Sequence, residues 1–193
     1  APVAGDDLIF QANSAVDVTS LNNTNNFAAG TAFRSITFQV LSTNYVLNGN
    51  QVVFSDAAVT ALSSQSSGQN TVNFDIQLNV NQTFEATLAY GPLVIDGAVN
   101  LNGHHLTNSV VNASGNINIG GLISGAGDLV KTGNGTLLLD GAVNNTYSGT
   151  TRVTDGTLEV NDISTATEMV PGDVMISAGA TLLLSEGNQI ADN

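Results

Sequence analysis

The chain has no cysteine and no tryptophan, and only three of its 193 residues are basic. Without cysteine it has no disulfides, no thiolate metal sites and no cysteine nucleophile. Arg34, Lys131 and Arg152 stand against sixteen acidic residues, a formal net charge of -13, which leaves a nucleic acid or an anionic membrane no electrostatic footing. No apolar run approaches the roughly 18 residues needed to cross a bilayer, and residues 1–20 lack the basic start and apolar block of a secretory signal. Because the chain opens on Ala1, it reads as a mature product or a piece of something longer, with export signal and anchor outside the sequence. Neither a Gly-x-Ser-x-Gly elbow nor a Gly-x-x-x-x-Gly-Lys phosphate loop is present.

What remains is 42% hydrophobic, enough to fold, but aromatic residues make up only 5%. The apolar content is Val, Leu, Ile and Ala, which suits thin, repeated strand layers better than one globular core. No heptad or 3.6-residue stripe of useful length occurs, and Gly and Asn punctuate the chain, so long helices are excluded.

A phrase repeats instead. A glycine is followed by a small or polar residue and then by apolar residues at alternate positions: Gly97-Ala98-Val99-Asn100-Leu101, Gly115-Asn116-Ile117-Asn118-Ile119, Gly135-Thr136-Leu137-Leu138-Leu139, Gly156-Thr157-Leu158-Glu159-Val160 and Gly179-Ala180-Thr181-Leu182-Leu183-Leu184. Alternation puts the outer apolar residues of each copy on one face of a strand. The first inward residues, Val99, Ile117, Leu137, Leu158 and Leu182, follow at steps of about 18, 20, 21 and 24 residues, the signature of a solenoid. A sandwich explains short strands but not the period. The expected architecture is therefore all-β, a β-solenoid of roughly 18–24 residues per coil, with nine or ten coils and a length of about 45 Å.

Earlier in the chain the expected strands are Asp7-Leu8-Ile9-Phe10-Gln11 and Ala15-Val16-Asp17-Val18-Thr19, then a turn over Asn22–Asn26. Alternating strands follow around Ile36-x-Phe38-x-Val40, Val46 and Val52-x-Phe54, with Asn48-Gly49-Asn50 as a turn. Ala57–Leu62 reads as a strand, Ser63–Gly68 as a polar loop, and Val72, Phe74, Ile76 and Leu78 as one unbroken alternation before Phe84, Ala86 and Leu88. Pro92 sits where a missing amide harms a sheet least. The whole is expected to be one module over 1–193, less regular over 1–90 and regular over 91–193, with its most repetitive stretch at 125–160. Asn48, Asn102 and Asn116 are candidates for side-chain amide ladders between coils.

The run Gly125-Ala126-Gly127-Asp128-Leu129-Val130-Lys131-Thr132-Gly133-Asn134-Gly135-Thr136-Leu137-Leu138-Leu139, continued by Asn145-Thr146-Tyr147-Ser148-Gly149-Thr150-Thr151 and Asp155-Gly156-Thr157-Leu158, resembles the autotransporter-associated β-strand repeat, or passenger-associated transport repeat, of bacterial surface and secreted proteins. Asp6–Phe10 and Phe33–Phe38 are similar to the lead-in found before this repeat in long modular surface proteins. The resemblance implies a right-handed parallel β-helix in an exported passenger region, extracellular or on the bacterial cell surface. It implies scaffold rather than chemistry and supplies no catalytic residue; Asp128 and Asp140 stand where family members often carry Ser or Thr.

His104 and His105 point to opposite faces if extended and have no third ligand nearby in sequence, so a turn or surface role is expected and no metal site is assigned. Gly125-Ala126-Gly127-Asp128-Leu129 overlaps a calcium β-roll pattern but lacks the tandem nine-residue repeats that share each ion. Asp140 with Asp155, or Asp162 with Asp173, form possible acid and base pairs for glycan cleavage, in a chain poor in the cations such chemistry uses. Lys131 and Arg152 are expected to be solvated outer-face charges. Asn22, Asn81, Asn112, Asn134 and Asn144 begin Asn-x-Ser/Thr triplets that the composition alone explains. The expected function is a non-catalytic structural module, a rigid stalk, adhesive or fibre-forming scaffold, with no catalytic, cofactor or metal residues. The expected partners are adjacent modules of the same protein; a surface glycan and another copy stacked end to end are further candidates. The alternative is a glycan-binding or glycan-cleaving β-helix using outer-face carboxylates.

Overall fold

A computed structural model describes residues 2–11, 21–40, 44–66, 68–161, 169–185 and 190. Among them there is no helix. The chain winds through β1 (Asp7–Phe10), β2 (Leu21–Asn25) and β3 (Thr31–Phe33), then β4 (Ser35–Phe38), β5 (Tyr45–Gly49) and β6 (Val52–Phe54). Three further coils follow: β7 (Leu62–Ser64), β8 (Asn70–Val72) and β9 (Ile76–Leu78); β10 (Gln82–Ala86), β11 (Leu93–Ile95) and β12 (Val99–Asn100); β13 (Leu106–Val110), β14 (Asn116–Ile119) and β15 (Ile123–Ser124). The last coils carry two strands each: β16 (Leu129–Thr132) and β17 (Thr136–Leu139), β18 (Thr151–Val153) and β19 (Thr157–Val160), β20 (Val174–Ile176) and β21 (Thr181–Leu184).

Strands of successive coils stack into three sheets. The first, sheet A, runs β1-β4-β7-β10-β13-β16-β18-β20; the second, sheet B, runs β2-β5-β8-β11-β14-β17-β19-β21; the third, sheet C, holds β3, β6, β9, β12 and β15. The pairing is parallel throughout. This is a β-solenoid of about seven turns, the fold class the alternation and period imply.

Hydrogen bonds join coil to coil, while side chains alternate between the interior and solvent. In sheet B this builds aliphatic columns: Leu93, Ile117, Leu137, Leu158 and Leu182 lie in register, with Ile95, Ile119, Leu139, Val160 and Leu184 beside them. All but the last member of each column are buried, and each contributes roughly 1.5–3 kcal/mol by leaving water. In the first coils the interior is aromatic. The Phe10 ring lies 5.3 Å from Phe38 and 5.0 Å from Tyr45, and Phe27 packs edge-on against Phe33 at 5.4 Å.

The glycine phrase turns out to mark two different corners. Gly115, Gly135 and Gly156 stack at the turn from sheet A to sheet B, where Thr136 N–H reaches Gly115 O and Thr157 N–H reaches Gly135 O, each at 3.1 Å. Gly97 and Gly121 occupy the turn from sheet B to sheet C, where a Cβ on Gly121 would strike Gly97 O and one on Gly97 would strike Phe74 O. Coil-to-coil backbone approach requires glycine at both. Val99 accordingly belongs to sheet C, opposite Ile76 and Ile123, and is not the equivalent of Ile117. The coil step is thus longer than 18 residues: Ile117 opposes Leu137 in a coil of 20, and Phe10 opposes Phe38 in one of 28. The nine or ten coils expected become seven steps from β1 to β20, about 34 Å at roughly 4.8 Å per step.

Other expectations are corrected locally. The polar run expected as a turn is strand β2, since a ladder needs backbone groups rather than apolar side chains. Ala57–Ala61 makes turns and bends, and the strand runs Leu62–Ser64, taking in two residues of the expected loop. Val72 and Ile76 fall on different strands, with Phe74 at the corner between them. The expected strand at Ala15–Thr19 lies outside the described residues.

Candidate functional site

Where the third sheet ends, the repeat begins. After β15, no strand of coils six to eight joins sheet C among the described residues, and the segment Asn144–Thr150 takes its place. Two side chains hold it there. Asn145, 5% exposed, accepts from Ile123 N–H at 2.8 Å in the coil before and donates to Met169 O at 2.7 Å in the coil after, so one amide stands in for a strand. Tyr147, 1% exposed, fills the core, and its hydroxyl bonds Thr151 Oγ1. Burial raises the Tyr147 phenol to about 12, against the opposing effect of that bond. Thr146 N–H and Ser148 N–H continue the backbone ladder to Ile123 O and Gly125 O.

Lys131 pins a different corner, the turn from sheet A to sheet B. The sequence places it two residues after the inward Leu129, and the structure puts it inside: it is 1% exposed, correcting the expectation of a solvated charge. Its ammonium donates to Thr132 O at 2.8 Å, Gly133 O at 2.7 Å and Asp155 O at 3.2 Å. Gly133 and Gly156 adopt φ of 75° and 65°, which brings these carbonyls within reach at the corner. Burial lowers the Lys131 ammonium to about 8, opposed by the Asp155 charge. In the preceding coil, opposite Lys131, lies Asn108, fully buried, with neither Oδ1 nor Nδ2 paired among the described residues.

A surface pin completes the set. Asp128 accepts from Thr150 N–H at 2.8 Å and pairs with Arg152 Nε at 3.3 Å. Partial burial opposes its ionisation, but the Thr150 N–H, the Arg152 guanidinium and nearby His105 outweigh it, so its carboxyl titrates below the ordinary value. His105 Nδ1 accepts from Asp128 N–H at 3.1 Å, which uses the lone pair a metal would need. His104 and His105 lie in a turn region, and among the described residues no three His, Cys, Asp or Glu side chains converge.

The acid pairs separate. Asp140 follows β17 at the end of sheet B, whereas Asp155 lies in the turn from sheet A to sheet B beside Lys131. Asp140 instead faces Asp96 across Gly120, and burial together with that neighbouring charge raises its carboxyl. Asp162 lies outside the described residues, and Asp173 lends its carbonyl to Thr151 N–H. The amide ladders exist with different partners: Asn73 Nδ2 donates to Asn48 Oδ1 at 2.8 Å and Asn102 Nδ2 to Asn79 Oδ1 at 3.1 Å, while Asn116 bonds Asn118 within its own strand. Asn81 and Asn112, two of the triplet asparagines, accept from the backbone of His105 and Ser114. Arg34 bridges Asp7 at 3.1 Å and Asp56 at 3.0 Å across three coils at the surface, an exposed arrangement of small energetic weight.

The buried pins are interior and reach no solvent; what the arrangement does is hold coils in register. Comparison with curated proteins and with solved structures found no match. Residues 129–160, the stretch holding Lys131, Asn145 and Tyr147, match the family model of the Passenger-associated-transport-repeat.

Proposed function

We propose that the chain is a non-catalytic structural module of a bacterial secreted or cell-surface protein, an autotransporter-passenger-like β-solenoid that serves as a rigid spacer between further coils. The observation that carries this reading is the coincidence of the matched repeat with the side chains that lock successive coils together. The ends support it. At the last coil the inward-facing Ile176 and Leu184 are 48% and 42% exposed. At the first, a cavity of about 220 Å³ opens between Leu8, Phe10, Phe27 and Phe33 into the core. A solenoid coil gains its full burial only when neighbours cover both sides. Stacked modules of one long protein supply those neighbours, and end-to-end contact between separate copies would do so by an open, heterologous interface.

A tandem of two copies tests the reading. Imaged by negative-stain electron microscopy, it should form one straight rod about twice the roughly 34 Å length of the single chain. Two particles hinged independently, or cleavage of any glycan by the single chain, would overturn it. Filaments that lengthen with the concentration of the single chain would identify the neighbours as other copies.

A further inference from the structure

The turn from sheet A to sheet B carries a residue that packing does not explain. Tyr90 is 84% exposed, yet its backbone sits at φ 74°, a conformation unfavourable for a bulky side chain. Its N–H reaches Ser114 O at 3.3 Å in the next coil. Such strain costs of the order of 1–3 kcal/mol, and glycine would satisfy this backbone without it. A tyrosine here buries almost nothing in the fold.

Beside it lies a groove of about 390 Å³ lined by Tyr90, Pro92, Asn116, Thr136, Leu138 and Glu159, with Ala113, Ser114 and Gly115 also on its wall. In sheet B, Asn116 opposes Thr136 and Leu138 opposes Glu159, so the groove crosses from the fourth coil to the seventh, about 14 Å along the axis. Its chemistry alternates: an aromatic ring, the Pro92 ring and the Leu138 side chain offer apolar faces, and between them stand an amide, a hydroxyl and a carboxylate. Asn116 Nδ2 is held by Asn118 Oδ1 at 3.2 Å, and Glu159 Oε1 accepts from Ser185 Oγ at 3.3 Å, which fixes both polar groups. No lysine or arginine lines the groove, and the chain's charge of -13 repels anions.

We propose that this groove binds a neutral oligosaccharide, with Tyr90 stacking on the apolar face of a sugar ring and Asn116, Thr136 and Glu159 hydrogen-bonding its hydroxyls. A sugar ring presents that combination of an apolar face and a polar rim, whereas an acidic glycan would meet Glu159 with no cation to offset it. The proposal does not depend on the spacer reading: a spacer lacking this groove would still join coils.

The test titrates the intact chain with cellotriose, maltotriose and N,N′,N″-triacetylchitotriose, with trigalacturonate as the anionic control, followed by ligand-observed NMR. The expected result is saturable binding of at least one neutral trisaccharide and none of trigalacturonate. Tyr90→Gly should weaken that binding at least about tenfold, equivalent to about 1.4 kcal/mol, while its thermal midpoint stays level or rises as strain is relieved. Tyr90→Asn, which also tolerates this backbone, provides a second folded variant, and Glu159→Gln should weaken binding by a smaller factor. No saturable binding of any neutral trisaccharide overturns the proposal. So does binding that survives Tyr90→Gly, or preference for trigalacturonate.

Discussion

The first five coils and the two that follow solve one problem differently. In coils one to five a third strand completes each turn and aromatic or aliphatic side chains fill the interior. In coil six, among the described residues, that strand is gone; Asn145 and Tyr147 hold the segment in its place, and Lys131 ties the turn from sheet A to sheet B to the next coil. A ladder of backbone bonds is tolerant of sequence, because any residue but proline supplies its donor. A pin is not tolerant. It needs a particular side chain at a particular place, and the second region is the one that matches a family model.

Removing a pin should therefore hurt more specifically than thinning the ladder. The largest effect is expected at Tyr147, the bulkiest fully buried side chain: Tyr147→Ala should destabilise the chain by about 3–5 kcal/mol. In a solenoid, where each coil contacts only its neighbours, the loss should appear first in coils six to eight, read as limited proteolysis there while coils one to five stay intact. Equal proteolysis of both regions would erase the distinction between them. Asn145→Ala should cost about 1–3 kcal/mol for each of the two buried backbone groups it orphans, measured by denaturant unfolding. A cost indistinguishable from zero would mean that this amide is no substitute for a strand.

Asn108 sharpens the comparison in the opposite direction. It faces inward on a strand of the ladder region, and its amide pairs with nothing among the described residues. Asn108→Leu should stabilise the chain by about 1–3 kcal/mol, visible as a rise in the unfolding midpoint. A fall would show that a buried water or Lys131 depends on the amide.

The pH dependence separates two pins by sign. Lys131 titrates near 8 when folded and near its ordinary 10.5 when unfolded, so between these values the unfolded chain binds more protons. Stability from this group rises with pH across that window. Tyr147 titrates near 12 when folded against an ordinary 10.0, so between 10 and 12 the folded chain holds the extra proton and stability falls. Chemical denaturation should show a maximum near pH 10. Lys131→Met should flatten the rising limb and Tyr147→Phe the falling one; a profile unaltered by either change would contradict the assignment.

Much of this was legible in the sequence. Ile117, Leu137, Leu158 and Leu182 were placed in register correctly because the glycine before each marks the same corner. Val99 was misplaced because Gly97 obeys the same rule of close backbone approach at another corner, and local grammar does not say which corner it belongs to. Dividing the chain by a twenty-residue period overcounted the coils, since the early coils are longer and strands such as Leu21–Asn25 are polar enough to read as turns. For Lys131 the inward signal is its alternation with Leu129, against which its charge argues for the surface; Asn108 alternates in the same way with Leu106 and Val110. Only the interior carbonyls near Lys131, set by Gly133 and by the turn holding Asp155, make an inward lysine tenable. The matched partners of Asn145 are 22 and 24 residues away, beyond any local pattern.

The central claim is that side-chain pins replace the third strand within the repeat, and the amide of Ile123 reports on it most directly. In native-state hydrogen exchange, Ile123 N–H should be protected about as well as strand amides of sheet B in the wild-type chain. In Asn145→Ala its protection should be lost while that of Leu93 and Ile95 in β11 persists. Unchanged protection of Ile123 in the variant would contradict the account.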